Sequence, residues 1–177
     1  MLYLSMLFMG IISMMTVMPV MAQERAAFYR EQASNMYEVG MYSAAYGIVE
    51  LPYIIFTSAV WTNVFYWLLG FSDDAGTYFF YWVYFGLFVG MMTFVGQFVA
   101  CVTPSLQTGQ LIGSVLNSLF NLFCGFMITP GSIPDYWRFL YWLAPPHYAY
   151  EGLVVTQFHG DDSEITTAYG TKVTAEE

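Results

Sequence analysis

The chain has 177 residues, 58% of them hydrophobic and 20% aromatic, and only 10% charged. An ordinary soluble domain carries roughly 25% charged residues, so this chain lacks the polar groups to coat itself against water, and lipid is read as its outer solvent. The formal charge of −9 is no acidic binding face, because Asp161, Asp162, Glu164, Glu176 and Glu177 crowd the C-terminal stretch, and four Lys and Arg exclude a nucleic-acid footprint.

The opening MLYLSMLFMG has no basic region, which makes a poor signal peptide. It starts inside an apolar run, and the chain ends in AEE without a closing element, so the sequence reads as a piece of a longer protein. Residues 1–22 carry no charge and match the roughly 20 residues that one bilayer crossing requires. Pro19 is tolerable there, since neighbouring helices satisfy the carbonyl it frees.

The segment 23–40, QERAAFYREQASNMYEVG, holds Arg25, Arg30, Glu24, Glu31 and Glu38. Ala22, Ala26, Tyr29, Ala33, Met36 and Gly40 recur at steps of three and four, which predicts one face of an amphipathic helix. Glu24, Glu31 and Glu38 recur at sevens and form a second stripe. A solvated connector and a working helix both fit this pattern.

A second crossing is predicted over 41–71, with Pro52 loosening the helix near Ile48. A carboxylate at membrane depth costs about 2.5–3.5 kcal/mol on insertion scales. Glu50 is therefore placed at the membrane edge, facing protein, and a polar network with Arg25 and Arg30 is predicted. The polar turn at 71–76 leads into a long stretch without charge, broken only by TPSLQTGQ at 103–110. The run must fold back there, giving a third crossing over 77–102 and a fourth over 111–128. Gly86 and Gly90 form a GxxxG pair that permits close helix approach. Cys101 and Cys124 fall in apolar runs and read as small buried hydrophobes, and no cluster of metal-ligating residues appears in the sequence.

After the proline-rich exit at 129–135, the stretch YWRFLYWLAPPHYAY is too short and too broken by Pro145 and Pro146 to span. Its Tyr and Trp rings favour the membrane interface, so 129–152 is predicted to be re-entrant or to lie on the surface. His147 reads as an interfacial hydrogen-bonding group; a catalytic base working with Asp135 is the competing reading. Residues 161–177 read as a polar loop. The turns at 72–76 and 103–110 contain no Arg or Lys, so the positive-inside rule puts 23–40 in the cytoplasm and the aromatic segment outside.

ERAAFYREQASNMY at 24–37, ELPY at 50–53 and LFCGFMITPGSIPDYWRFLYWLAPPHYAYEGLVVTQFHGD at 122–161 together resemble the second transmembrane domain of pleiotropic-drug-resistance ABC transporters, the full-length members of the G subfamily. The resemblance covers roughly residues 20–162. It implies an all-α membrane protein, a partial ABC-2 type helix bundle over 1–160, with 23–40 as the cytoplasmic coupling segment and 129–152 as an extracellular re-entrant segment. The four crossings would be helices two to five of six. Partners would be the lipid bilayer, the nucleotide-binding domains, the other transmembrane half and a hydrophobic small-molecule substrate, with no nucleic acid, in a multi-pass protein of the plasma membrane.

No G-x-x-x-x-G-K-[ST] occurs in the sequence, so ATP and Mg would sit on nucleotide-binding domains outside this chain, which is not expected to be an enzyme alone. By the resemblance, Ser5, Met9 and Ile12 in helix two and Ser114, Ser118, Asn121 and Leu122 in helix five line the substrate path. Phe126 and Met127 take the place of an apolar valve below the outer exit. Glu24, Arg25, Arg30, Glu31 and Glu50 would form the coupling network. Two positions depart from the family pattern: Thr129-Pro130-Gly131 replaces a basic residue, and Cys124 a frequent Ser. A membrane-embedded lipid-modifying enzyme using His147 and Asp135, and a secondary transporter or channel, are the alternatives.

Overall fold

A computed structural model describes residues 2–70, 74–124, 127–128, 133–158, 164–166 and 172–174. Its elements are α1 (Leu2–Ala33), α2 (Val39–Leu69), α3 (Ala75–Val102), α4 (Leu106–Leu122), a 3-10 turn (Asp135–Trp137), α5 (Arg138–Leu143), α6 (Pro145–Phe158), β1 (Glu164–Thr166) and β2 (Lys172–Thr174). Helices α1, α2 and α3 are long and apolar enough to cross a membrane.

The first boundary differs from the sequence reading. One helix runs through Gln23 to Ala33, with no break between a crossing and a separate coupling helix. Ala22, Gln23, Glu24, Arg25, Ala26 and Ala27 are all good helix formers; their polarity moves the helix from lipid to water without ending it. The stop comes at Asn35, whose left-handed φ of 52° closes the helix. The Met36 N–H donates to the Glu31 carbonyl and the Asn35 N–H to that of Gln32, a Schellman ending with Asn in the usual glycine position. Glu38 then sits at the N-cap of α2. The heptad stripe of Glu24, Glu31 and Glu38 therefore spans two helices.

Helix α2 continues through Pro52 and presents a narrow buried edge, Ile54, Ser58, Thr62 and Tyr66, at steps of four. Its partner is α3, on which the GxxxG pair sits: a Cβ on Gly86 would lie 3.2 Å from Ser58 Oγ, and one on Gly90 3.6 Å from Ile54. Asp74 caps α3, its carboxylate accepting from the Thr77 N–H and hydroxyl. Those bonds hold the Asp74 carboxyl below the usual carboxylate range, the backbone N–H first.

Helix α3 is the central element and packs on α1, α2, α4 and α6. Met6, Met14, Met18, Phe85, Met92 and Leu153 form the heart of the core. Small residues set the spacing. A Cβ on Gly96 would come within 2.6 Å of the Met14 carbonyl oxygen, so α1 and α3 touch backbone to backbone there. Gly113 of α4 instead receives the side-chain ends of Met14 and Met18.

The predicted fourth crossing, 111–128, is shifted and shortened. Helix α4 spans 17 residues, starts at Leu106 with Ser105 as its cap and ends at Leu122, with Phe123 as the C-cap. At 1.5 Å per residue it is about 25 Å long, a turn short of a hydrocarbon core of about 30 Å. Ser105 supplies an N-cap acceptor to the Thr108 N–H, so the polar stretch read as a loop starts the helix.

In the aromatic segment, Pro145 and Pro146 begin α6 instead of breaking it, because a first-turn N–H has no helical partner to lose. Within the stretch read as a polar loop, β1 and β2 pair antiparallel, Ile165 opposite Val173; β-branched residues favour that ribbon.

Candidate functional site

The helix order puts two different sets of groups at the two ends of the bundle. One end carries the 34–38 turn, the second half of α1, the start of α2 and the end of α3. The other carries the start of α1, the end of α4 and α6, tied by the Tyr3 hydroxyl donating to the Asn121 carbonyl and the Tyr84 hydroxyl donating to that of Tyr148.

At the first end, Arg25 leaves α1 sideways and reaches the end of α3. Its Nη1 donates to the carbonyls of Thr103 at 2.6 Å and Pro104 at 3.2 Å, and its Nη2 to that of Ala100. The last carbonyls of a helix have no intrahelical donors and carry the negative end of its dipole, so the guanidinium satisfies both. Arg25 is thus engaged with the end of α3. Among the described residues, Glu50 forms no ion pair with Arg25 or Arg30; it is half-buried on α2. Arg30 turns back to its own helix, Nε to the Ala26 carbonyl at 3.2 Å. Glu31 accepts from the Tyr37 hydroxyl at 2.7 Å, which pushes that hydroxyl up to about 12. Glu24 is exposed, 3.5 Å from the Tyr42 hydroxyl.

The path residues divide. Ser5, 2% exposed, and Met9 are buried among α1's neighbours, whereas Ile12 is 48% exposed. Ser5 and Met9 therefore pack the bundle and do not line an open face. The outward stripe of α1 is Leu4, Phe8, Ile12, Thr16 and Val20, at strict steps of four. On α4, Ser114, Ser118 and Leu122 are exposed and Asn121 is half-buried, while Gly109, Gly113, Asn117 and Phe120 face inward. The Ser114 and Ser118 hydroxyls donate to the carbonyls of Gln110 and Ser114, leaving their lone pairs outward. Met127 is 63% exposed; Phe126 lies outside the described residues.

His147 is buried in an aromatic box, 4.0 Å from the Tyr141 ring centre with Trp142 and Tyr148 around it, and its Nε2 is 3.6 Å from the Glu151 carboxylate. Asp135 pairs with Arg138 at 3.4 Å. The two residues that an enzyme would combine are thus engaged elsewhere. Cys124 is buried, but Cys101 is exposed near the end of α3, because an apolar run facing lipid needs no burial within the protein. No group of three metal-ligating residues occurs among the described residues.

Two features escaped the sequence reading: the register of α1's outward stripe, and a cavity beside Arg25. That cavity, of about 370 Å³, lies between α1, α2 and α3 and is lined in part by Gln97, Tyr42 and Tyr46.

Comparison with known proteins places these features in context. The family described as ABC-2 type transporter matches residues 1–158. The chain is 37% identical over 169 residues to ABC transporter G family member 38 of Oryza sativa subsp. japonica, covering 95% of this chain and 11% of that protein. It is 38% identical over 162 residues to member 44 of the same plant, covering 92% and 11%. Against member 40 of Arabidopsis thaliana the identity is 35% over 163 residues, again 92% of this chain and 11% of the relative. The chain thus spans 11% of the length of these relatives.

Proposed function

This chain belongs to the ABC-2 type transporter family, and we propose that it is the membrane-translocation part of an ATP-driven exporter of hydrophobic drugs, toxins or lipids. It is an integral membrane domain, and no nucleotide-binding motif occurs in it. In this proposal it lies in the second transmembrane half of a pleiotropic-drug-resistance protein in the plasma membrane. ATP and Mg bind to nucleotide-binding domains elsewhere in the longer chain, and the α1–α2 junction faces them from the cytoplasm.

The observation that carries the reading is the pair of open faces on α1 and α4, within a chain matched by the family over 1–158. Leu4, Phe8 and Ile12 offer an apolar wall, and Ser114, Ser118 and Leu122 a wall with weak hydrogen-bonding groups. Such walls accept varied amphipathic ligands, since desolvation drives entry and a few polar groups orient them. Arg25 gives the motor a route to α3: a push on the second half of α1 pulls on the three carbonyls it holds. Phe126 and Met127 act as the valve at the outer end.

The experiment is ATP-dependent efflux of a hydrophobic dye from vesicles containing the full-length protein. Efflux that requires hydrolysable ATP and changes its substrate range in Phe126→Ala and Met127→Ala supports the reading. Movement that ignores ATP contradicts it.

A further inference from the structure

Helix α1 reaches over to the ends of two other helices, one at each end of the bundle. Arg25 holds the end of α3, and far from the 34–38 turn the Tyr3 hydroxyl donates to the Asn121 carbonyl at 3.2 Å. That carbonyl lies in the last turn of α4, where helical carbonyls have no intrahelical donor. The two contacts are 22 residues apart on one helix, about 33 Å at 1.5 Å per residue. A displacement of α1 at the Arg25 end is therefore transmitted to the Tyr3 end.

Tyr3 also joins a third element. Its hydroxyl has the Cys124 thiol as a further hydrogen-bond partner, and its ring meets that of Tyr150 of α6 edge-on at 6.0 Å, a favourable aromatic geometry. Tyr3 is 7% exposed and Cys124 1%, so this contact shuts water out. Helix α6 is held independently on α3: the Tyr84 hydroxyl donates to the Tyr148 carbonyl, and a Cβ on Gly152 would run into the Tyr84 ring. Parting α1 from α4 at this end gives up the Tyr3 contacts while α6 stays with α3. The position also matters. Tyr3 directly precedes Leu4, and Asn121 directly precedes Leu122, the residues at this end of the two open faces.

We propose that Tyr3 is the latch of the exit, a positioning residue that holds α1 against the end of α4 at rest and lets go when the two helices separate. Its place in the cycle rests on the translocation reading: the motor displaces the Arg25 end of α1, the Tyr3 end follows, and the two walls of the path open outward. Cys124 is covered only while the latch is closed, so its thiol reports the state of the exit.

The test follows modification of Cys124 by a water-soluble methanethiosulfonate in the full-length protein in lipid nanodiscs, read by mass spectrometry of the peptide that contains it. Tyr3→Phe keeps the ring on Tyr150 and removes only the hydroxyl. It should speed modification at rest about fivefold, the factor for one net hydrogen bond. Thr93→Val removes a buried hydroxyl that donates to its own helix, at the Val89 carbonyl, and should leave the rate unchanged. Trapping the motor with ATP and vanadate should speed modification in wild type, and by about fivefold less in Tyr3→Phe, whose resting rate already contains part of the gain. Equal resting rates in wild type and Tyr3→Phe overturn the proposal. So does a wild-type rate that trapping leaves unchanged in a protein whose efflux needs ATP. The resting comparison requires no transport, so its result is separate from the efflux measurement on which the translocation reading depends.

Discussion

Replacing Arg25 by Ala tests the junction between α1 and α3 most sharply. The guanidinium holds the carbonyl of Ala100 in the last turn of α3 and those of Thr103 and Pro104 just beyond it, that of Thr103 at 2.6 Å. A hydrogen bond to a charged group contributes about 1.5–3 kcal/mol, but the three share one donor group and are not additive. The residue is half-buried at the end of the bundle, so water replaces part of what is lost. The expected destabilisation is therefore that of one to two such bonds, about 2–4 kcal/mol. Arg25→Lys restores a point charge without the planar fork and should recover about half of it. The assay is reversible unfolding in mixed micelles followed by helical circular dichroism, with amide exchange over residues 98–102 as the local readout. Glu50→Gln serves as the control and should stay within about 0.5 kcal/mol, as for a side chain with no ion pair or hydrogen bond among the described residues. If Arg25→Ala is also within about 0.5 kcal/mol of wild type, the capping argument is refuted.

Other outcomes follow from the packing. Gly96→Ala puts a methyl 2.6 Å from the Met14 carbonyl oxygen, which cannot move aside, and should cost about 1–3 kcal/mol as overpacking. Gly90→Ala meets only an ordinary contact with Ile54 at 3.6 Å, and the gain in helix propensity should leave it neutral or slightly more stable in the same titration. Asp74→Ala removes the cap of α3. The Asp74 carboxyl is held low by Thr77, so its contribution is present above the unfolded value of about 3.9 and is lost as pH falls through the lower folded value. The gap between wild type and variant should be measurable at pH 7 and close in strong acid. The Tyr37 hydroxyl, pushed up to about 12 by Glu31, should contribute fully below about 10 and lose its contribution as pH rises through its folded value. Ultraviolet difference titration against Tyr37→Phe reads it directly.

Parts of this architecture are legible in the sequence. Hydropathy and breakers place α3 within two residues, because Thr103-Pro104 removes both the polarity match and a backbone donor. The end of α1 is less visible: Glu24 and Arg25 mark the passage into water, but the helix stops only where Asn35 adopts a left-handed turn. The face of α1 is the hardest feature to read. Core and lipid are both apolar, so Ser5 and Met9 carry no signal that distinguishes packing from exposure. The facing is set by close approaches at Gly10, Gly96 and Gly113, which involve partners far away in sequence. Helix α4 is easier, since its small and polar residues segregate: Gly109 and Gly113 turn in, and Ser114 and Ser118 turn out. The cavity beside Arg25 needs three helices at once, and only the lone Gln97 inside an apolar run hints at it.

The claim that the outward stripe of α1 faces the substrate path is the one on which the functional account rests. It is tested by placing Ile12→Cys in a full-length protein carrying Cys101→Ser and Cys124→Ser, modifying it with a bulky maleimide, and following ATP-dependent dye efflux. Leu68→Cys, 76% exposed as Leu on the outer side of α2, is the comparison. Modification at Ile12 should block efflux and be slowed by saturating dye, while modification at Leu68 leaves efflux intact. Equal efflux after modification at both positions would contradict the account.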